Sequence, residues 1–172
     1  PIGVQTFSFV RKDYDTYIDK TPYIYKLAHT GGKYYFLSRP RRFGKSLLVS
    51  TMQAYFEGKR EMFDGLAIAE LETEWEANAV LRVDLSMVKT TKVDELYKLL
   101  NSMLIELEDI WGNDPRMQTP GSRFGSLIRT AYAKYNKPVV VLIDEYDAPL
   151  LNVAHDPAKL EEFRQVMREF YA

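Results

Sequence analysis

Residues 38–46 read SRPRRFGKS, and the last three of them, Gly44, Lys45 and Ser46, match the end of a phosphate-binding loop. In the usual pattern, G-x-x-x-x-G-K-[ST], a first glycine stands five positions before the second, and Arg39 occupies that position here. The three matching residues are by themselves a weak signal. The neighbouring segments must therefore show whether the loop follows a strand and opens a helix.

The segments on either side of the loop have the order that a phosphate site needs. KYYFL (33–37) is an aromatic run that predicts a β-strand, and LLVSTMQAYFEG (47–58) has apolar residues at helical spacing. We therefore expect a strand, a loop and then a helix from about Gly44, whose N-terminus favours an anion. Lys45 would contact the β- and γ-phosphates, and the Ser46 hydroxyl would complete the shell of a magnesium ion.

The second half of the predicted site is VVVLIDE, residues 139–145. A continuous apolar run predicts a strand buried on both faces, as in a parallel sheet covered by helices. Asp144 and Glu145 would then lie at the carboxyl edge of the sheet, where open α/β sheets bind ligands. Asp144 can hold the magnesium directly or through water, and Glu145 can polarise the attacking water as general base. The alternative is that both acids cap the last helix or lie in a solvated loop.

Strand-like and helix-like segments alternate along the whole chain. The β-rich run AVLRVDLS (79–86) predicts a further strand. Apolar periodicity and helix-boundary residues predict helices over residues 21–28, 93–111, 122–135 and 157–171. This alternation predicts an α/β protein with a doubly wound, mainly parallel sheet.

Composition limits the class of protein. A chain of 172 residues, 46% hydrophobic and 27% charged, suits one globular domain with a real core. The net charge of −1 argues against a generic nucleic-acid binder, and the absence of cysteine excludes disulfides and thiolate metal sites. Because the sequence has neither a long apolar run nor a signal peptide, we expect a cytoplasmic protein without a membrane span.

Positive charge is concentrated in the loop, where three arginines accompany Lys45. One or two of these arginines could help to hold phosphate, or they could pair with acids elsewhere or lie in solvent. An arginine in place of the first glycine, followed by a proline, predicts a slightly different loop path. The predicted nucleotide-binding residues are Arg39, Pro40, Arg41, Arg42, Phe43, Gly44, Lys45, Ser46 and Leu47.

Four motifs together resemble the AAA-ATPase-like family of bacterial proteins, and the resemblance runs from Ile2 to about Asn152. The motifs are YIDKT (17–21), RPRRFGKS (39–46), VDLS (83–86) and LIDEYD (142–147). The phosphate loop of that family itself lacks the first glycine, so the resemblance explains Arg39.

The resemblance implies a three-layer P-loop NTPase core of the additional-strand type, with one strand between the phosphate-loop strand and the acidic strand. It assigns residues 1–172 to one such domain, with an N-terminal segment (1–32) and an incomplete core (33–172). It also implies that many members continue into a C-terminal nuclease-like domain of the restriction-endonuclease type. Because the chain begins at Pro1 and ends within an apparent helix, we expect it to be a fragment, and nucleic acid would be contacted only through the missing domain.

The predicted function is Mg²⁺-dependent ATP binding and hydrolysis that drives a conformational change in an attached domain or partner. Lys45 and Glu145 are the predicted catalytic residues, and Ser46 and Asp144 the metal ligands. ATP is preferred over GTP because no guanine-reading N-K-x-D motif is present. Two alternatives stay open, namely a nucleotide-dependent switch with little turnover and a P-loop kinase.

The fragment is expected to work poorly by itself, since family enzymes take a polar sensor and an arginine finger from later segments or from a neighbour. An arginine finger is worth roughly 10³–10⁵ in rate, so hydrolysis by residues 1–172 should be very slow. An exposed sheet edge would favour self-association, and a homo-oligomer is possible.

Three other acids have two possible roles each. Asp19 of the YIDKT motif could approach the nucleotide, together with Lys20, or could anchor the N-terminal segment to the core. Asp84 could support the site from the end of its strand or could cap a turn. Asp147 could bind metal or a partner, or could cap a loop.

Overall fold

The computed structural model describes residues 6–13, 17–38 and 43–172. The chain divides into two compact units, the first ending at Val80 and the second beginning at Leu81. The helices of the first unit are α1 (Phe7–Asp13), α2 (Thr21–His29), α3 (Lys45–Phe56) and α4 (Ala67–Leu71), with a 3₁₀ turn at Arg60–Phe63. The later elements are β1 (Val80–Asp84), a 3₁₀ turn at Leu85–Met87, α5 (Val93–Trp111), α6 (Pro120–Tyr135), β2 (Val140–Asp144), α7 (Ala148–Leu151) and α8 (Pro157–Tyr171).

An aromatic and aliphatic core holds the first unit together. Phe7 of α1 is fully buried, and its ring centroid lies 4.9 Å from that of Phe63 and 5.4 Å from that of Tyr17. Ile24 of α2 and Ile68 of α4 complete the same cluster. Helix α3 is joined to α1 by a buried hydrogen bond that the Phe7 N–H donates to the Ser50 hydroxyl at 2.9 Å.

The YIDKT motif anchors the N-terminal part of the first unit. The Asp19 carboxylate accepts from the Thr21 N–H at 2.8 Å and from the Thr21 hydroxyl at 2.6 Å. Its second oxygen accepts from the Ala67 N–H at 2.8 Å, so one side chain satisfies the first turns of both α2 and α4. Of the two roles considered for Asp19, these contacts favour anchoring.

A buried carboxylate lies beside this core. Glu72 accepts a hydrogen bond from the Tyr55 hydroxyl and a second from the Glu74 N–H at 2.9 Å, and the Nε2 atom of His29 lies 3.6 Å from it. Burial alone would raise the pKa of Glu72, but these hydrogen bonds outweigh it and hold the pKa below its usual value. Burial and the same carboxylate raise the pKa of the Tyr55 phenol. The Tyr55 phenol is thus neutral, and it stabilises the ionised Glu72 carboxylate by donating a hydrogen bond to it.

The strand predicted for KYYFL is not formed. Residues 34–38 have no regular secondary structure, and the side chains of Tyr34 and Phe36 are 95% and 69% exposed. The Tyr35 hydroxyl donates to the Leu27 carbonyl at 2.9 Å, which draws this segment towards the end of α2. The prediction was wrong because β-propensity needs a neighbouring strand, and none of the described residues adds one here.

A parallel pair of strands and five helical elements make up most of the second unit, and the fold class is α/β. Strand β1 buries Leu81 and Val83 on one face, and the VDLS segment continues into the 3₁₀ turn. Strand β2 buries Leu142 and Asp144, whereas Val141 and Ile143 are half-buried. Burial on both faces was expected, but only the face of Leu142 and Asp144 is buried, because the described residues cover the other face only in part.

The long helices of the second unit follow the sequence closely. Helix α5 covers the predicted range, and α6 begins at Pro120, two residues before the predicted start. Thr119 and Ser122 form the capping box that starts α6. Arg123 then joins α6 to α5 through two hydrogen bonds to the Glu108 carboxylate, that from Nε at 2.7 Å.

Asp19 supplies a stability term that depends on pH. Burial would raise the pKa of Asp19, but the hydrogen bonds from Thr21 and Ala67 and the nearby Arg11 hold it below its usual value. A carboxylate whose pKa is lower in the folded than in the unfolded chain stabilises the fold at pH values above its unfolded pKa, which is about 4 for aspartate. This stabilisation is lost as the pH falls through the pKa of the folded state. We expect Asp19→Ala to reduce the free energy of unfolding by about 1 kcal/mol at pH 7. The difference from the parent should shrink below pH 4, as measured by urea unfolding, and a constant difference from pH 7 to pH 3 would contradict this account.

Two glycines of α6 give a matched test of helix packing in the second unit. A Cβ atom on Gly121 would lie 2.1 Å from the Glu169 carbonyl oxygen of α8, whereas one on Gly125 would meet only the Arg129 Nη1 atom, at 3.6 Å. We expect Gly121→Ala to destabilise the protein by about 1–3 kcal/mol, because two backbones must move apart. Gly125→Ala should stabilise it by up to about 1 kcal/mol through helix propensity. Thermal unfolding of both variants checks this, and similar effects of the two substitutions would show that α6 and α8 are not in close contact.

Candidate nucleotide site

The phosphate-loop motif lies at the start of α3 in the first unit. Gly44 is the N-cap residue, with φ 73° and ψ 27°, and Lys45 is the first helical residue. A left-handed conformation at this position suits glycine and strains other residues. The Gly44 carbonyl accepts from the Leu48 N–H at 2.9 Å, which closes the first turn. The helix therefore begins where the G-K-S motif predicts.

The first turn of α3 carries the predicted binding residues. Lys45, Ser46 and Leu47 are half-buried, and Phe43 is exposed. Leu47 packs against the core of the first unit, so its backbone N–H, rather than its side chain, is what it can offer to a ligand. The N–H groups of a first turn have no partner within the helix and are suited to phosphate oxygens. Arg39, Pro40, Arg41 and Arg42 lie outside the described residues.

Asp144 is the last residue of β2, and its carboxylate is 4% exposed. One oxygen accepts from the Glu145 N–H at 3.0 Å. The other lies 3.9 Å from the Arg82 Nη2 atom on the neighbouring strand, which is an ion pair but too long for a hydrogen bond. The predicted metal ligand is thus a buried carboxylate held at the end of a strand.

Glu145 adopts a left-handed backbone conformation, with φ 51°. The conformation costs a residue with a Cβ atom roughly 1–2 kcal/mol, and such strain is concentrated at functional sites. The Glu145 carbonyl accepts from the Ala148 N–H at 2.9 Å, so a tight turn leads from β2 into α7.

Two other acids, Asp84 and Asp147, lie near the ends of these strands. Asp84 accepts from the Ser86 N–H at 2.9 Å and caps the 3₁₀ turn after β1. Asp147 is the N-cap residue of α7, but its side chain makes no capping hydrogen bond. Arg82 was not among the predicted site residues, although a basic residue between buried apolar residues in the AVLRVDLS strand is a signal that could have found it.

The donor chemistry of the predicted metal ligands suits magnesium. A Ser46 hydroxyl and an Asp144 carboxylate are hard oxygen donors, which Mg²⁺ takes in small numbers while it keeps water and phosphate oxygens. Within residues 6–13, 17–38 and 43–172 no group of three or more His, Asp or Glu side chains forms a metal site. A metal held by one carboxylate and phosphates does not require such a group.

Comparisons with known proteins identify the family. The family model described as "Predicted AAA-ATPase" matches residues 1–172. An "Uncharacterized protein in vnfD 5'region" of Azotobacter chroococcum mcd 1 is 36% identical over 173 aligned positions, which take in all of this chain and 33% of that relative. The chain therefore spans about a third of the length of the curated relative that it matches. No solved structure gives a significant match.

A membrane-spanning helix is not found among the described residues. The family match covers the whole chain and includes the YIDKT, RPRRFGKS, VDLS and LIDEYD motifs. Its name supports a general nucleotide-binding role, in agreement with a G-K-S motif at a helix N-terminus and an acidic pair after a strand. The chain belongs to the AAA-ATPase-like family of predicted AAA-ATPases.

Proposed function

We propose that this chain binds ATP together with Mg²⁺ and hydrolyses it. The observation that carries the proposal is the left-handed Gly44 followed by Lys45 and Ser46 in the first turn of a 12-residue helix. A helix of this length has a developed dipole, and its first N–H groups are unsatisfied. The family assignment supports the same conclusion.

In this proposal Lys45 and the backbone of α3 bind the triphosphate. The lysine ammonium provides a compact positive charge for the β- and γ-phosphates, and the N–H groups of the first turn have no acceptor within the helix, so they can donate to phosphate oxygens. Lys45 also counts as catalytic, because it would stabilise negative charge that develops on the transferred phosphoryl group. The arginines of the loop are additional candidates for phosphate contacts.

Ser46 and Asp144 would hold the magnesium ion. When bound, Mg²⁺ neutralises phosphate charge and orients the oxygens for in-line attack. The burial of Asp144 favours this role, since a buried carboxylate needs a compensating positive charge.

Glu145 is the proposed general base. A carboxylate that directly follows the metal ligand can orient and polarise the attacking water. Its left-handed backbone gives independent support, because a residue that only continued the chain would more often be glycine or asparagine at this φ. The strain is consistent with selection for a glutamate side chain at this position.

Hydrolysis is proposed to change the conformation of an attached domain or a partner. The matched relative is about three times as long as this chain, which supports the proposal of a further domain. A nuclease-like domain and a homo-oligomer both fit the family resemblance. A switch with little turnover is the alternative if nucleotide binds and Glu145 proves dispensable, and a kinase is the alternative if phosphate passes to a small acceptor.

Lys45 gives the direct test of nucleotide binding. We expect Lys45→Ala to lower the affinity for ATP by at least about tenfold, because it removes a charge-assisted contact to phosphate, while the fold is unchanged. The measurement is calorimetric titration with Mg-ATP, with circular dichroism as the folding check. Lys26→Ala removes the same charge from an exposed position on α2 of the same unit and should bind like the parent. If Lys45→Ala binds ATP as tightly as the parent, the phosphate-loop assignment is wrong.

Substitutions of Asp144 and Glu145 distinguish metal binding from the hydrolysis step. Asp144→Asn should reduce the gain in ATP affinity that Mg²⁺ confers, whereas Glu145→Gln should keep that gain and lose about 10²- to 10⁴-fold in turnover. The ATP affinity of each variant is measured by calorimetric titration, once with Mg²⁺ and once with EDTA. Turnover is measured as phosphate release by the full-length protein. Glu162→Gln neutralises an exposed carboxylate on α8 of the same unit; it is the control and should leave both properties unchanged. Normal hydrolysis by Glu145→Gln would move the search for the base to Asp147 or to a residue after 172.

A further inference from the structure

Asp144 has fewer partners than a buried carboxylate usually needs. An ionised carboxylate can accept about four hydrogen bonds. Within the described residues Asp144 accepts one, from the Glu145 N–H, and its second oxygen faces Arg82 across 3.9 Å. Buried charges are ordinarily paired closely and hydrogen-bonded, so this carboxylate retains capacity to bind a cation.

Arg82 is held beside this carboxylate by regular secondary structure. It lies in the middle of β1, its side chain is 27% exposed, and β1 is the hydrogen-bonded neighbour of β2 in a parallel sheet. Leu81 and Val83 on either side of it are buried in the core and fix the strand. The guanidinium is therefore placed beside Asp144 by two strands rather than by a flexible loop.

We propose that Arg82 is the counter-ion of Asp144 in the metal-free protein and that it makes magnesium binding conditional on nucleotide. The inference rests on the proposed function of Asp144 as a metal ligand. If Arg82 kept its position, a Mg²⁺ ion held ~2.1 Å from the Asp144 Oδ2 atom would lie within about 6 Å of the Arg82 Nη2 atom. Two like-charged groups at that separation repel one another, so Mg²⁺ without nucleotide binds weakly.

A triphosphate changes this balance of charge. Its negative charges offset the repulsion between the metal and the guanidinium, and they give an arginine an alternative acceptor. Arg82 is thus a positioning residue, because it acts through Asp144 and not on the reacting atoms. Arg82 thereby couples the binding of Mg²⁺ to the binding of nucleotide, so that Asp144 binds the metal when nucleotide is present.

The test is the affinity for Mg²⁺ in the absence of nucleotide, measured by calorimetry or by the shift in thermal unfolding. The parent should bind Mg²⁺ weakly. Arg82→Gln should bind Mg²⁺ about tenfold more tightly, the factor expected for removing one charge about 6 Å from a divalent ion even with the dielectric constant of water. With ATP present, the difference between Arg82→Gln and the parent should be smaller.

Two further variants test whether the positive charge of Arg82 is what weakens Mg²⁺ binding. Arg82→Lys retains it and should gain much less Mg²⁺ affinity than Arg82→Gln. Arg116→Gln removes the same charge from another arginine–carboxylate pair of the second unit, with Asp114, and should bind Mg²⁺ like the parent. Circular dichroism shows whether Arg82→Gln is folded, and Arg82→Gln combined with Asp144→Asn should regain stability, because no unpaired buried charge remains.

The outcomes separate this inference from the proposed function. Unchanged or weaker Mg²⁺ binding by Arg82→Gln would overturn the role of Arg82, as would an equal gain in Arg82→Lys. Tight Mg²⁺ binding by the nucleotide-free parent would overturn it without any variant, so the test does not depend on the folding of Arg82→Gln. If Arg82→Gln gains Mg²⁺ affinity but the parent binds no ATP with Mg²⁺ or EDTA, the Arg82–Asp144 relation stands and the ATPase proposal fails.

Discussion

The burial of the Asp144 carboxylate is the constraint on which the candidate chemistry of the second unit depends. A charge at 4% exposure is stable only with compensating partners, and here these come from the next backbone N–H and from Arg82 on the adjacent strand. The first partner is part of the turn that places Glu145 in a left-handed conformation, and the second joins β2 to β1. Ion pairing, turn geometry and strand pairing are therefore linked at one side chain.

In the first unit, hydrogen bonds rather than an arginine ion pair compensate the polar groups. Some of its polar side chains accept hydrogen bonds from the backbone N–H groups at the starts of helices. Asp19 serves the first turns of α2 and α4, and Ser50 accepts the Phe7 N–H. Glu72 is the buried acid, and a phenol and a backbone N–H compensate it. The start of α3 has no such side-chain cap, and its glycine N-cap leaves the first N–H groups for a ligand.

The long helices could be predicted from sequence because their apolar periodicity and boundary residues agree. The ranges of α5 and α8 match the predicted ones, and α6 begins two residues before its predicted start. The short helices α1, α4 and α7 were missed, since segments of four to seven residues carry too few periods to be recognised. The prediction of a strand at KYYFL was wrong for a different reason. A strand forms only beside a partner strand, and the local sequence does not specify that partner.

The sequence by itself predicted the two halves of the candidate site, and it determined the family, the helix that begins at Lys45 and the strand that ends at Asp144. Glycine before Lys45 and an acidic pair after an apolar run are local signals, and local backbone physics is enough to interpret them. Tertiary structure decided what surrounds those residues. It showed that Asp19 and Asp84 make capping contacts, that Glu145 is strained and that Arg82 faces Asp144. Arg82 and Asp144 are far apart in sequence, and only the pairing of two strands brings their charges together, which no local pattern can encode.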